Sequence, residues 1–258
     1  MAEQSTPRTQ SAKKQSAKTA EPKKTHTKKP PNLIDRTAHF VRRVFFWGFA
    51  AVCGFFLLAT LLYAVINPPT TPYMFAEGRR LGGVKQDWVP MAQIAPVMAR
   101  SAVAAEDANF CLHWGLDVKA IRAAVDRGRG GASTISQQVV KNVYLWHGRS
   151  WLRKAVEALW TPLAEAMWSK RRILELYLNV AEFDEGVFGV QAAARHYFGV
   201  DAADLTATQA ARLAAILPAP KDRSAANPSP FVRERTRAII SGAATIAADG
   251  RADCFENG

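Results

Sequence analysis

Cysteine is scarce in this chain of 258 residues: only Cys53, Cys111 and Cys254 are present. Three cysteines cannot build a small disulfide scaffold. The five histidines, at 26, 39, 113, 147 and 196, are scattered, and neither HExxH nor CxxC occurs, so a dedicated metal centre is not expected. Gly-x-Ser-x-Gly is missing, which removes the nucleophile elbow of a Ser-His-Asp hydrolase, and GxxxxGK[ST] is missing, which removes a phosphate loop. Alternating strand patterns with hairpin dipeptides are nearly absent, and no internal repeat is found. Acidic residues fall short of basic ones, 22 against 34, for a formal charge of +12, while hydrophobic residues at 48% exclude wholesale disorder.

The charge is unevenly spread. Residues 1–43 hold seven Lys and four Arg against Glu3, Glu21 and Asp35, so +8 of the +12 lies there. This stretch is rich in Ser, Thr, Gln, Lys and Pro and nearly free of large apolar side chains before Leu33, which predicts a disordered basic tail. Such a tail suits nucleic acid or the flank of a membrane span. The following segment favours the span, and no nucleic-acid partner is expected. Val44 to Ile66 is a run without charge, preceded by Arg42 and Arg43 and ended by Asn67-Pro68-Pro69. At 1.5 Å per residue it reaches roughly 34 Å, enough for a hydrocarbon core of about 30 Å. The run is long for a cleaved signal peptide and no small-x-small site follows. The Lys/Arg bias predicts a cytoplasmic N-terminus, a single pass through the inner membrane and a domain on the periplasmic side. In that oxidising space Cys111 and Cys254 either pair or stay as two buried thiols.

From residue 67 to 245 the pattern is helical. Ile173, Leu174, Tyr177, Leu178 and Ala181 recur at helical spacing, and Thr206-x-x-Gln209 reads as a capping box that opens a helix ended by Pro218. The expected fold is mainly α, in one globular domain, with residues 246–258 as a C-terminal tail. Tyr73, Met74, Phe75 and Trp88 fit either the membrane interface or the core.

Three clusters carry polar chemistry. In AAEDANFCLHWGLD, Glu106 and Asp107 follow an apolar helix. A carboxylate held against apolar surface gains proton affinity and suits general acid or base work, while a salt-bridged pair at a helix end is the plainer reading. In GRGGASTISQQVVKNVYLW, Gly128, Gly130 and Gly131 precede Ser133, Thr134, Gln137, Gln138, Lys141 and Asn142 at a helix start. Neutral donors followed by a cation suit a phosphate or a sugar, and an ordinary loop and N-cap fits equally. In GRSWLRKAVEALW, Lys154 and Glu157 share a helix face with Arg149 nearby, which alone reads as a common surface ion pair.

Taken in order, EDANFCLHWG, GASTISQQ-x-x-KN, RSWLRK-x-x-E, KRRILELYLN and GVFGVQAAARHYFG resemble the family 51 peptidoglycan glycosyltransferases over residues 75–240. The single span and WSKRRILELYLNVAEF resemble its monofunctional members, with no transpeptidase domain expected. The resemblance implies a lysozyme-like α domain beside the membrane. It also implies an enzyme that polymerises lipid II into β-1,4 glycan strands with inversion and releases undecaprenyl pyrophosphate. By motif, Glu106 is the implied general base and Glu157 the second essential carboxylate. Ser133, Gln137, Lys141, Arg149 and Lys154 are implied to hold the donor pyrophosphate and adjacent sugar, with Gln138 and Asn142 as neighbouring substrate-binding positions. Implied partners are lipid II, the growing strand, the membrane and other cell-wall synthesis proteins. No cofactor is required on this reading, and a divalent Mg or Mn ion at the pyrophosphate is optional. The alternatives are a lytic glycosidase of the same fold and a non-catalytic anchored scaffold. Compared with the family, the stretch from Gly115 to Ser133 is short, and Ser136 stands where Thr is common.

Overall fold

A computed structural model describes Met1 and residues 33–126, 128, 133–148 and 150–257. The chain divides into two units, residues 1–50 and 51–258. The long helix α1 (Leu33–Tyr63) begins eleven residues before the apolar run, inside the stretch read as tail. No proline follows Pro31 there, so nothing stops the helix from extending outward. The part from Arg36 to Tyr63 is long and apolar enough to cross a membrane.

In the second unit, the final turns of α1 belong to the globular core. Phe56 and Tyr63 pack against it, and Thr60 is fully buried. The indole N–H of Trp160 donates to Thr60 Oγ1 at 3.1 Å, and that of Trp168 donates to the Thr60 carbonyl at 2.7 Å. The expected mainly α architecture follows. Helices α2 (Pro72–Leu81), α3 (Pro96–Glu106), α4 (Val118–Asp126), α5 (Ile135–Tyr144) and α6 (Trp151–Met167) come first. They are followed by α7 (Lys170–Val180), α8 (Val190–Phe198), α9 (Ala207–Ile216), α10 (Pro230–Ala248) and the single-turn α11 (Asp253–Glu256). A small sheet orders β1 (Lys85–Gln86), β3 (Val187–Phe188) and β2 (Glu182–Asp184), parallel between β1 and β3 and antiparallel between β3 and β2.

Two helix groups set the site. α3, α9 and α10 pack on one another, and α5 packs on α6 and α7. Alanines at 99, 102, 210, 211 and 214, all nearly inaccessible, allow the first group to approach closely. Ile135, Val139, Val140, Ile173, Leu174 and Leu178 fill the second. The end of α3 and the first turns of α5 therefore meet.

The C-terminal segment is not a tail. Phe255 is fully buried, its ring 6.4 Å from that of Phe110, and Cys254 forms a disulfide with Cys111. Phe255 at the end of the sequence supplies the apolar anchor that holds this segment down. Closing a loop across 143 residues of separation removes unfolded-chain entropy of about 5 kcal/mol on the chain-entropy model.

Candidate active site

Glu106 is the last residue of α3, half-buried, and its Oε2 accepts a hydrogen bond from Gln138 Nε2 at 2.9 Å. Burial raises the proton affinity of its carboxyl. Gln138, Arg235 and Lys141 act against the rise and Asp107 adds to it. Asp107 faces a different task. Its Oδ1 lies 2.8 Å from His113 Nε2 and its Oδ2 accepts from the Ile135 backbone N–H at 3.0 Å, so it ties the turn after α3 to the start of α5.

That start is a capping box, the N-cap alternative for this segment. Thr134 Oγ1 accepts from the Gln137 N–H at 3.2 Å, and Gln137 Oε1 accepts from the Thr134 N–H at 3.0 Å. The signal Thr-x-x-Gln was present at 134–137, as it is at 206–209 where it was read. Gln137 is only 3% exposed, so its amide is committed to the cap. The Thr134 hydroxyl also donates to the Gly115 carbonyl at 2.6 Å. Gly115 has φ +80°, and a Cβ there would lie 2.7 Å from Thr161 Cγ2, which explains the glycine of the first motif.

One turn on, Gln138, Lys141 and Asn142 line a cavity of about 420 Å³ together with Tyr73, His147 and Lys221. The rings of Tyr73 and His147 stack 3.5 Å apart, and Asn142 Oδ1 lies 3.3 Å from His147 Nε2. Tyr73 is thus a cavity wall, its hydroxyl donating to Glu182 at 2.6 Å. Lys141 makes no ion pair among the described residues. Burial pulls its ammonium below the ordinary value, partly offset by Glu157 and Glu106.

Glu157 is 2% exposed and sits on α6, whose N-cap Ser150 accepts from the Arg153 N–H. It accepts from Arg153 Nη1 at 2.6 Å and also from Lys154. Glu157 thus anchors a three-member network in which it and Arg153 are largely buried and Lys154 is part-exposed, where spacing alone suggests a surface pair. Lys154 Nζ reaches across to donate to the exposed Ser133 hydroxyl at 3.1 Å. Ser133 lines a smaller cavity of about 210 Å³ with Glu106, Asp107 and Ala108.

Gln138 links two cavities: it bonds Glu106, which lines the smaller one, and itself lines the larger with Lys141 and Asn142, while Ser133, Lys154 and Glu157 are joined at the border of the smaller. Gln137 belongs to the scaffold. Arg149, Gly130 and Gly131 lie outside the described residues. Arg153 and Arg235 were not singled out as site residues. Arg235 reaches the site from α10, where its Nη2 donates to the Ala105 carbonyl at 3.1 Å, a contact across 130 residues that no local pattern announces. α4 fills part of the short 115–133 stretch with no buried residue.

A fully satisfied Glu157 is poorly placed to move protons. A carboxyl of raised proton affinity beside an unpaired ammonium can take a proton while the cation steadies a leaving anion. The transglycosylase family model matches residues 76–244. A biosynthetic peptidoglycan transglycosylase of Jannaschia sp. (strain CCS1) is 60% identical over 221 residues, covering 85% of this chain and 92% of that protein. Proteins of the same name from Caulobacter vibrioides and Rhodospirillum centenum are 45% and 44% identical over 203 and 217 residues, covering 77% and 80% of this chain and 89% and 93% of theirs. With its motifs in order on a helical domain and most of its length matched, the chain belongs to the transglycosylase family, the family 51 glycosyltransferases.

Proposed function

We propose that this enzyme polymerises lipid II into β-1,4 glycan, with Glu106 as general base. The 4-hydroxyl of the incoming disaccharide gives its proton to the Glu106 carboxylate as its oxygen attacks C1 of the donor sugar. The C1–O bond to the pyrophosphate breaks in the same in-line step, which inverts an α-linked donor into a β-link. Undecaprenyl pyrophosphate leaves as an anion, so cationic stabilisation matters more than protonation. Lys141 and Lys154 supply that charge, and Glu157 holds Arg153 and Lys154 in place.

The observation that carries this reading is that Gln138 bonds Glu106 while lining one cavity with Lys141, which has no ion pair among the described residues. A simple glycosidase must protonate a sugar hydroxyl and uses two free carboxyl groups; here Glu157 is already saturated by two cations. Among the described residues no group of three or more His, Cys, Asp or Glu is placed to hold a metal ion. This reading assigns no step to a metal and leaves a divalent ion at the pyrophosphate optional.

A polyprenyl substrate stays in the bilayer, and we place the catalytic unit at the periplasmic face of the inner membrane, with the N-terminus cytoplasmic. The exposed apolar residues Trp151, Leu152, Leu159 and Leu163 on α6 support a membrane-facing side, since Trp160, which flanks them on that helix, holds the final turns of α1. Cell-wall synthesis proteins are the proposed partners. The test is polymerisation of purified lipid II by the wild type and by Glu106→Gln. Lengthening strands with the first and none with the second support the reading. Shortening of preformed glycan without polymer points to a lytic enzyme, and unaltered function of the variant in cells points to a scaffold.

A further inference from the structure

The turn behind Glu106 is held from two sides. On the inner side, Asp107 binds His113 and the α5 N-terminus, and Lys170 Nζ donates to the His113 carbonyl at 2.8 Å. On the outer side lies the end of the chain. Arg251 Nη1 donates to the Ala108 carbonyl at 2.9 Å, its guanidinium fixed by Asp249 at 2.7 Å. Cys254 is bonded to Cys111, and Phe255 is buried against Phe110. Arg171 Nη1 donates to the Phe255 carbonyl at 2.9 Å, and Arg100 pairs with Glu256 at 3.1 Å. α11 has only four residues, too short to persist as an isolated helix, so these attachments hold it in place.

We propose that residues 249–256 are a covalent clasp on the turn that carries Glu106, with Cys111, Cys254 and Arg251 as positioning residues, and that full catalysis requires the oxidised Cys111–Cys254 pair. Ala108, whose carbonyl Arg251 holds, lines the small cavity that also contains Glu106. Releasing the clasp frees that wall and admits water beside the carboxyl. The inference rests on Glu106 as the base and on an oxidising surrounding. The groups that face Glu106 are Asp107 from its own turn, Gln138 and Lys141 from α5, Tyr177 from α7 and Arg235 from α10. Gln138 and Lys141 reach it from α5, which the clasp does not hold, so its release changes hydration while those two partners stay; α7 and α10 meet the clasp through Arg171 and through the chain itself.

Dithiothreitol provides the test. It delivers two electrons and two protons to the S–S bond, leaves two cysteine thiols and closes to its own cyclic disulfide. The full-length Cys53→Ala chain in detergent is assayed on lipid II across pH, oxidised and reduced, with thiol counting to establish reduction. A Cys111→Ser/Cys254→Ser variant and Arg251→Ala are run beside it, and Arg251→Ala keeps the disulfide should the serine variant fail to fold. Reduction is expected to move the acid limb of kcat/KM down by about half a pH unit and to lower kcat several-fold with KM nearly constant, because a hydrated carboxyl is a weaker base. Arg251→Ala is expected to shift the limb the same way, and the serine variant to show the shifted limb with or without reductant. An unmoved limb and kcat in fully reduced protein overturn the clasp, as does an equal response to dithiothreitol in the serine variant. Polymerisation by Glu106→Gln, or none by the oxidised parent, instead overturns the base assignment.

Discussion

The Gln138 amide donates to the Glu106 carboxylate from the same helix that carries Lys141, so the carboxylate's partner and the cation are set by one rigid element. Gln138 favours the ionised form and works against the burial that raises the carboxyl's proton affinity. A general base is active when deprotonated, so activity falls as pH drops through its pKa. Gln138→Leu removes the donor, which leaves burial less opposed. The acid limb of the pH–rate profile for lipid II polymerisation is expected to move to higher pH, by about one unit. A limb that stays in place separates Gln138 from the ionisation of Glu106.

Glu106→Gln is expected to reduce polymerisation by about 10²–10⁴-fold, the usual contribution of a positioned base, and to stabilise the protein at neutral pH. The folded pKa of Glu106 lies above the unfolded one. The associated stability is therefore fully present below the unfolded pKa and is lost as pH rises through the folded value. Melting temperatures of variant and parent are expected to diverge near neutrality and to converge in acid. A lower melting temperature for the variant at neutral pH contradicts the assignment of burial as the main cause.

Removing the hub of the α6 network costs more than removing a spoke. Glu157→Gln leaves Arg153, itself mostly buried, and Lys154 without their counter-charge. A loss of about 3 kcal/mol in denaturant unfolding is expected, along with weakened donor use. Lys154→Ala should cost less than about 1 kcal/mol in stability, because its side chain is 40% exposed. Its effect belongs in the KM for lipid II. Equal destabilisation by the two variants contradicts this division.

Gly115→Ala adds a methyl group 2.7 Å from Thr161 and 2.9 Å from Glu165 at a positive φ. We expect a loss of about 2–3 kcal/mol from strain and crowding. Because Gly115 also accepts from Thr134, chemical denaturation should be accompanied by weaker hydrogen-exchange protection at the start of α5. A stability within about 0.5 kcal/mol of the parent rules out the close approach.

Local patterns made much of this molecule legible. The 3.6-residue recurrence at Ile173, Leu174 and Tyr177 marks a core helix, and all three side chains are buried in α7. The Thr206–Gln209 capping box is present as read. The same pattern at 134–137 suits ligand chemistry and a helix N-cap equally, because its neighbours are polar and glycine-rich, and the cap is what the structure shows for Thr134 and Gln137. Glu157 illustrates the opposite limit. Spacing places it beside Lys154, but only packing against the rest of the domain takes the Glu157 carboxylate out of water. Arg235 and the Cys111–Cys254 bond join residues 130 and 143 positions apart, and no periodicity reaches that far.

Thr60 is a polar residue in an apolar helix, its hydroxyl accepting from the indole of Trp160 and its carbonyl from that of Trp168. The final turns of this membrane-length helix are consequently interior structure. A chain cut after the apolar run would strip the partners from Trp160 and Trp168 and uncover Tyr144, so a truncated form that keeps Phe56, Thr60 and Tyr63 is expected to retain a fold that a shorter one loses.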